Sequence, residues 1–386
     1  MKIFHCGHCN RLVFFENTAC VNCGHLLAYL PDRVSMGTLE PDGPQRWRPL
    51  PRAAESGAYR LCRNYSEQNI CNWAVPEDDP NPYCLSCRVT RVIPALDRPG
   101  SREGWAKLET AKRRLIYSLL RLRLRLASKF EDPERGLAFE FLADPDMPGA
   151  PPVLTGHADG VIVINVAEAD DAERERRRNA LKEDYRTLLG HFRHEVGHYY
   201  WDRLISGSER LEPFRRLFGD EQQDYGEALR RHHDQGPPPS WANSFVSAYA
   251  SAHPWEDWAE TWAHYLHMTD TLETAVECGL SLWPKRSDEP VLVPDVAVVG
   301  ERRASFDQMI DRWFPLTYVL NNLNRGMGLQ DAYPFVLSTP AVDKLRFVHE
   351  AVTSESCPDA GRSSIHTAAP RKPRRLAETA APATRP

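Results

Sequence analysis

Nowhere in the 386 residues do roughly 18–20 apolar residues run together, the length a membrane-spanning helix needs. The opening stretch MKIFHCGHCN has neither the apolar core nor the small-residue cleavage site of a secretory signal. No internal repeat is visible. A strong excess of one charge is missing too: the net value is −5, and it is uneven. From Cys357 onward six basic residues face only Asp359 and Glu378, so the tail is +4 and the rest is −9. A body of that sign is not built to grip nucleic acid. These absences leave an ordinary globular chain, 42% hydrophobic and 26% charged, expected in the cytoplasm with no membrane partner.

Cysteine, by contrast, is plentiful. Ten are present, and without an export signal closely spaced pairs point to metal rather than to disulfides. Cys6-x2-Cys9 and Cys20-x2-Cys23 form two knuckles, and four thiolates so spaced can close a tetrahedral shell. Gly24, directly after the second pair, suits the tight turn. Zinc is the favoured ion, with iron in a rubredoxin-like site as the alternative. Cys62, Cys71, Cys84 and Cys87 make a second set with one close pair, read as a second structural zinc or else as a group of buried thiols. Cys278 and Cys357 stand alone.

Four regions separate along the chain. Residues 1–100 carry the cysteine sites and many prolines. Residues 101–285 carry strong periodic patterns. A linker over 286–300 leads to an apolar and aromatic segment, 301–352, expected to pack as a helical extension on the preceding domain. The Ala, Pro, Arg and Ser tail, 353–386, has little to bury and is expected to be disordered.

In the second region WAKLETAKRRLIYSLLRLRLRLASKF reads as one amphipathic helix, with Leu108, Leu115, Leu119, Leu122 and Leu126 at helical spacing. GLAFEFLAD alternates like a strand. VIVIN, Val161–Asn165, reads as a second strand, either an edge that could pair with an extended peptide or a buried core strand. A helix is then expected over about 183–205. It carries His194-Glu195-Val196-Gly197-His198, the H-E-x-x-H pattern of zinc peptidases. His194 and His198, four apart, project from one face and can share one ion; Glu195 flanks it as a general base for water. Gly197 leaves room for another element to approach.

A catalytic zinc needs a third ligand and an open position. SAYASAHPWEDWAETWAHYLHMTD supplies candidates on a helix expected over about 255–268, with Pro254 in its first turn. Glu256, Ala259, Glu260, Ala263, His264 and His267 fall along one side, and Trp258, Trp262 and Tyr265 on another. His191, His253 and His264 are rivals to the carboxylates.

H-E-x-G-H followed by Y-x6-E-x3-E resembles the gluzincin arrangement of the lethal-factor family of proteases. That resemblance implies Glu256 as third ligand, Glu260 as its supporting carboxylate and Tyr249 as donor to the developing oxyanion. Tyr249 can otherwise be read as an interface tyrosine. LCRNYSEQNICNW, YCLSCRVTRVIP, TGHADGVIVIN, LGHFRHEVGHYYWDRLI, HPWEDWAETWAHYLH and NRGMGLQDAYPF together resemble a family of bacterial zinc-binding metallopeptidases with an N-terminal zinc ribbon.

The expected fold is therefore α+β: a zinc ribbon, then a zincin-type metallopeptidase domain with a helical C-terminal extension. One catalytic and two structural Zn2+ ions are expected, with a peptide or protein as substrate. The ribbon is a candidate surface for a protein partner, and nucleic acid is the minority reading. The rival function is a non-catalytic module that binds nucleic acid or protein, in which the H-E-x-x-H zinc only stabilises the fold.

Overall fold

The computed structural model describes residues 1–51, 57–145, 149, 151–181, 187–286, 288, 291 and 304–355. Most of the expected linker and all but the first residues of the expected tail lie outside these. Among the described residues no helix is long and apolar enough to cross a membrane.

At the N-terminus β1 (Phe4–His5) and β2 (Leu12–Val13) form a short antiparallel ribbon around the first knuckle. Gly24 adopts φ +74° and its N–H closes on the Cys20 carbonyl at 2.8 Å, the left-handed turn that glycine enters without a steric penalty. A five-stranded antiparallel sheet follows in simple sequence order: β3 (Leu26–Leu30), β4 (Ser35–Pro41), β5 (Trp47–Leu50), β6 (Tyr59–Leu61) and β7 (Ala74–Pro76). The one-turn helix α1 (Arg63–Ser66) lies between β6 and β7, directly after Cys62.

The second sheet has order β10-β11-β9-β8, from β8 (Thr90–Val92), β9 (Ala138–Leu142), β10 (Gly156–Ala158) and β11 (Val161–Asn165). β8 and β11 both run parallel to β9, and β10 is an antiparallel edge strand. Of the two sequence readings of Val161–Asn165, the structure takes the core one: the strand is hydrogen-bonded on both sides, and the edge belongs to Gly156–Ala158 instead. Continuous apolar content is what a strand enclosed on both sides requires.

Helix α2 (Ser101–Arg121) is shorter than the sequence suggests. The LRLRLRL run has period two, and a continued helix would place Leu124 opposite Leu122. The chain instead breaks at Arg123, with φ +58°. The N–H groups of Arg123 and Leu124 return to the carbonyls of Leu120 and Leu119, a Schellman-type ending that lets both Leu122 and Leu124 bury.

α3 (Asp171–Leu181) carries a run of charged residues, DAERERRRNAL. α4 (Leu188–Leu204) starts where the Thr187 side chain accepts the Gly190 N–H at 3.0 Å. α5 (Leu211–Phe218) and α6 (Tyr225–Gln235) precede the long α7 (Pro254–Glu277), capped by His253 with Pro254 in its first turn. α7 outruns the expected 255–268 because its C-terminal turns are paid for by packing rather than propensity. Glu273 accepts from Tyr117 at 2.9 Å and from Arg121 at 2.5 Å, both on α2, and Leu272 and Ala275 are buried. α8 (Phe306–Gly326) and α9 (Thr339–Glu355) form the C-terminal extension, and both pack on α7.

The ribbon and the helices share one core. Phe15 and Tyr29 from the ribbon region meet Tyr117 of α2 at ring separations of 5.4 and 6.0 Å, with Trp73 tilted against Tyr29 at 4.5 Å. Arg113 of α2 reaches across to the Ile70 carbonyl at 2.6 Å.

Candidate active site

α4 and α7 cross in close contact, and the reason is composition. A Cβ on Gly197 would stand 3.0 Å from the Ala259 Cα and 3.3 Å from its carbonyl oxygen. The Trp258 indole N–H also donates to the Gly197 carbonyl at 2.8 Å. The glycine expected to admit a neighbouring element does so, and that element is the helix bearing Glu256 and Glu260.

At this crossing His194, His198 and Glu256 converge, each offering a ligand atom within 4.8 Å of the others. His194 Nε2 lies 3.3 Å from His198 Nε2 and 3.0 Å from Glu256 Oε2, and His198 Nε2 lies 3.7 Å from that oxygen. Ligands about 2.0–2.1 Å from a tetrahedral ion stand about 3.3 Å from one another, so the triangle has the right edge. Glu256 is 1% exposed, and its Oε2 meets the two imidazole rings with no further N–H or O–H aimed at it among the described residues. A buried carboxylate oxygen left in that state is costly unless a cation meets it.

His194 Nδ1 is 2.7 Å from Glu260 Oε1, so the proton belongs on Nδ1 and the Nε2 lone pair faces the triangle. Glu260 is itself held by the Ser247 hydroxyl at 2.6 Å. Burial would depress the His194 pKa, but the negative charge of the adjoining Glu256 and Glu260 carboxylates outweighs it and holds the ring well above its usual value. Two carboxylates gathered around one imidazole call for positive charge at the centre, and a divalent ion fits that demand.

Glu195 is 8% exposed and takes no part in the triangle. Burial raises its pKa, against the opposing pull of His194 and His198. Tyr249 lies on a one-turn 3-10 helix, Tyr249–Ser251, with its ring 5.9 Å from that of His194. The rival histidines are engaged elsewhere. His191 faces Glu168 at 3.4 Å, His253 caps α7 and contacts the Gln223 carbonyl at 3.2 Å, and His264 Nδ1 meets the Tyr333 hydroxyl at 2.7 Å.

Three neighbours were not found by sequence reasoning. The Tyr225 hydroxyl donates to Glu256 Oε1 at 2.6 Å, Ser247 supports Glu260, and the His157 ring on edge strand β10 lies 6.3 Å from that of His198. For Tyr225 a partial signal existed: D-Y-G-E at 224–227 is a helix-start pattern, and Asp224 does cap α6 by accepting the Glu227 N–H at 2.8 Å. That its tyrosine reaches Glu256 is a tertiary fact with no local trace.

The cysteines gather as two groups of four, Cys6, Cys9, Cys20, Cys23 and Cys62, Cys71, Cys84, Cys87. Sulfur pairs stand 3.6 Å apart in the first and 3.7 Å in the second. That is too long for a disulfide and close to the roughly 3.8 Å edge of a tetrahedron with metal–sulfur bonds of about 2.3 Å. Burial opposes ionisation of Cys6, yet the backbone of Cys9, the Thr38 hydroxyl and the backbone of His8 bring its pKa down to about 6. The second group is fully buried, with the buried guanidinium of Arg113 nearby as countercharge.

A mixed sheet, a helix with two histidines and a crossing helix with a carboxylate, preceded by a cysteine-rich ribbon, make up the α+β architecture of a zinc-ribbon metallopeptidase. The chain belongs to the family described as "Putative zinc-binding metallo-peptidase", which it matches over residues 101–351; residues 3–98 match a zinc-ribbon domain. Proteins of Mycobacterium bovis and Mycobacterium tuberculosis, each named only as an uncharacterized protein, are 42% identical to it over 360 residues, 93% of this chain and 97% of theirs. No solved structure matches it.

Proposed function

We propose that this chain is a zinc-dependent peptidase of gluzincin type, with His194, His198 and Glu256 holding the catalytic ion and each cysteine group holding a structural zinc. The observation that carries this reading is the buried Oε2 of Glu256 facing two imidazole nitrogens at tetrahedral spacing. Zinc so held supplies Lewis acidity, polarising a carbonyl and making water acidic enough to react near pH 7.

The chain's own residues do the rest. Glu260 fixes the His194 ring and its tautomer. Glu195 takes the proton of the attacking water and passes it to the leaving amine. Tyr249 donates to the oxygen on which charge develops. β10, an edge strand among the described residues with His157 beside His198, would pair with an extended peptide. Tyr249→Phe is expected to lower turnover about 10²–10³-fold with KM little changed. An unaltered kcat would make Tyr249 an interface residue.

The decisive measurement is zinc per chain by elemental analysis, on the wild type and on His194→Ala/His198→Ala. Three zincs falling to two with the fold kept, together with wild-type cleavage of a peptide library that the variant lacks, is the expected result. An unchanged count overturns the site, and zinc loss without any cleavage leaves a structural metal.

A further inference from the structure

α6 is an odd helix. Of its 11 residues only Ala228 is buried, at 2% exposure. Its flanks turn at Gly219 and Gly236, with φ of +105° and +74°. A helix so thinly rooted in the core must be held by something else: its first turn touches Glu256 and its last turn touches Tyr249. At the start, the Tyr225 hydroxyl donates to Glu256 Oε1 at 2.6 Å. Near the end, the His232 ring stands edge-on to Tyr249 at 5.9 Å.

The Tyr225 contact divides the labour of the carboxylate. With Oε1 committed to the phenol, Glu256 presents a single oxygen, Oε2, toward the two histidines. Loss of the phenol would free the carboxylate to rotate or to spread both oxygens over the ion, and a freely rotating ligand binds more weakly because its ordering is deferred to the moment of binding. We propose that Tyr225 is a positioning residue that holds Glu256 in single-oxygen geometry, and that it thereby makes metal affinity at this site depend on the seating of α6. This rests on the assignment of His194, His198 and Glu256 as ligands.

The test is zinc affinity of the full-length chain, by competition with a chromophoric chelator, for the wild type, Tyr225→Phe, Ala228→Glu and the double variant. Tyr225 is 38% exposed, so deleting its hydroxyl leaves the core untouched. Tyr225→Phe is expected to weaken the weakest of the three zincs about 10–100-fold, with the cysteine sites unchanged. Ala228→Glu, which unseats α6, is expected to cause a similar loss. The double variant should lose no more than the larger single, since both act through one contact.

Cobalt substitution gives a second readout: the visible d–d bands should shift in Tyr225→Phe as the carboxylate changes its mode of binding. Wild-type affinity and an unshifted cobalt spectrum in Tyr225→Phe overturn the inference while the metal site stands. Additive losses in the double variant overturn the coupling to α6. If the wild type holds no zinc that His194→Ala/His198→Ala loses, the ligand assignment falls and this inference with it.

Discussion

Glu195→Gln is expected to lower peptide hydrolysis about 10²–10⁴-fold while leaving the zinc count at the wild-type value. Glutamine keeps the shape and burial of the side chain but cannot accept and return a proton. Glu195 stands outside the triangle of His194, His198 and Glu256, so its charge is not needed to hold the ion. Burial lifts its pKa, which raises its proton affinity toward what a base working near neutrality requires. The ionised form is the active one, so the acidic limb of kcat/KM should fall as pH drops through that raised value. In the variant the limb should vanish with the activity. Loss of zinc on this substitution would instead assign Glu195 to the support of the metal, and full activity would remove it from the chemistry.

Lys344→Met is expected to destabilise the chain by about 3–5 kcal/mol, read as a shift in the urea midpoint. Lys344 Nζ lies 2.6 Å from Asp257 Oδ2 and 2.8 Å from the Ser244 carbonyl, with side-chain exposures of 5% for the lysine and 0% for the aspartate. Phe245 covers the ammonium at 4.3 Å. Above the pH at which Asp257 gives up its proton, removing the cation strands a buried carboxylate in the first turn of α7, one residue from Glu256. Asp257→Asn in the same chain should recover much of the loss, because no charge is then left unpaired.

Burial raises the Asp257 pKa from 3.8 to about 7 even with Lys344 beside it. The folded state therefore holds this proton more tightly than the unfolded one. Asp257's contribution to stability is full below its ordinary pKa and is lost as pH rises to about 7. Lys344→Met should extend that decline to higher pH. A variant with wild-type midpoint at every pH would show that the pair does not secure α9 to α7.

How much of this was legible beforehand follows from how local each signal is. The H-E-x-G-H helix, Pro254 in the first turn of α7, the Cys6/Cys9 and Cys20/Cys23 knuckles and the Gly24 turn all rest on residues within a few positions of each other. The residues on either side of the helix crossing could be placed on their faces by the 3.6-residue period. Gly197 even signalled that a partner would come close. What failed was of two kinds. The LRLRLRL run satisfied a helical template at every fourth residue and a strand template at every second, and only a left-handed Arg123 reconciles the two. Tyr225, Ser247, His157 and Lys344 act through contacts spanning 13 to 87 residues of chain for the pairs that name a partner, Ser247–Glu260 the shortest and Lys344–Asp257 the longest. For Tyr225 and Lys344 no short window of sequence holds both members, and for Ser247 and Glu260, which share one, nothing local shows that the hydroxyl reaches the carboxylate. The boundary between free edge and enclosed strand was equally hidden, since Val161–Asn165 becomes interior only when Gly156–Ala158 folds back against it.

The aromatic seam of Phe15, Tyr29, Trp73 and Tyr117 bears on how the protein meets a shortage of metal. Because the cysteine-rich ribbon and α2 bury one another, the ribbon is not an appendage that can melt by itself. Stripping zinc from Cys62, Cys71, Cys84 and Cys87 would loosen the floor on which α2 rests, and through Tyr117, Arg121 and Glu273 the far end of α7. On the proposed assignment zinc supply would enter twice, once at the histidines and once beneath them, and a chain starved of the second ion would lose the scaffold that presents the first.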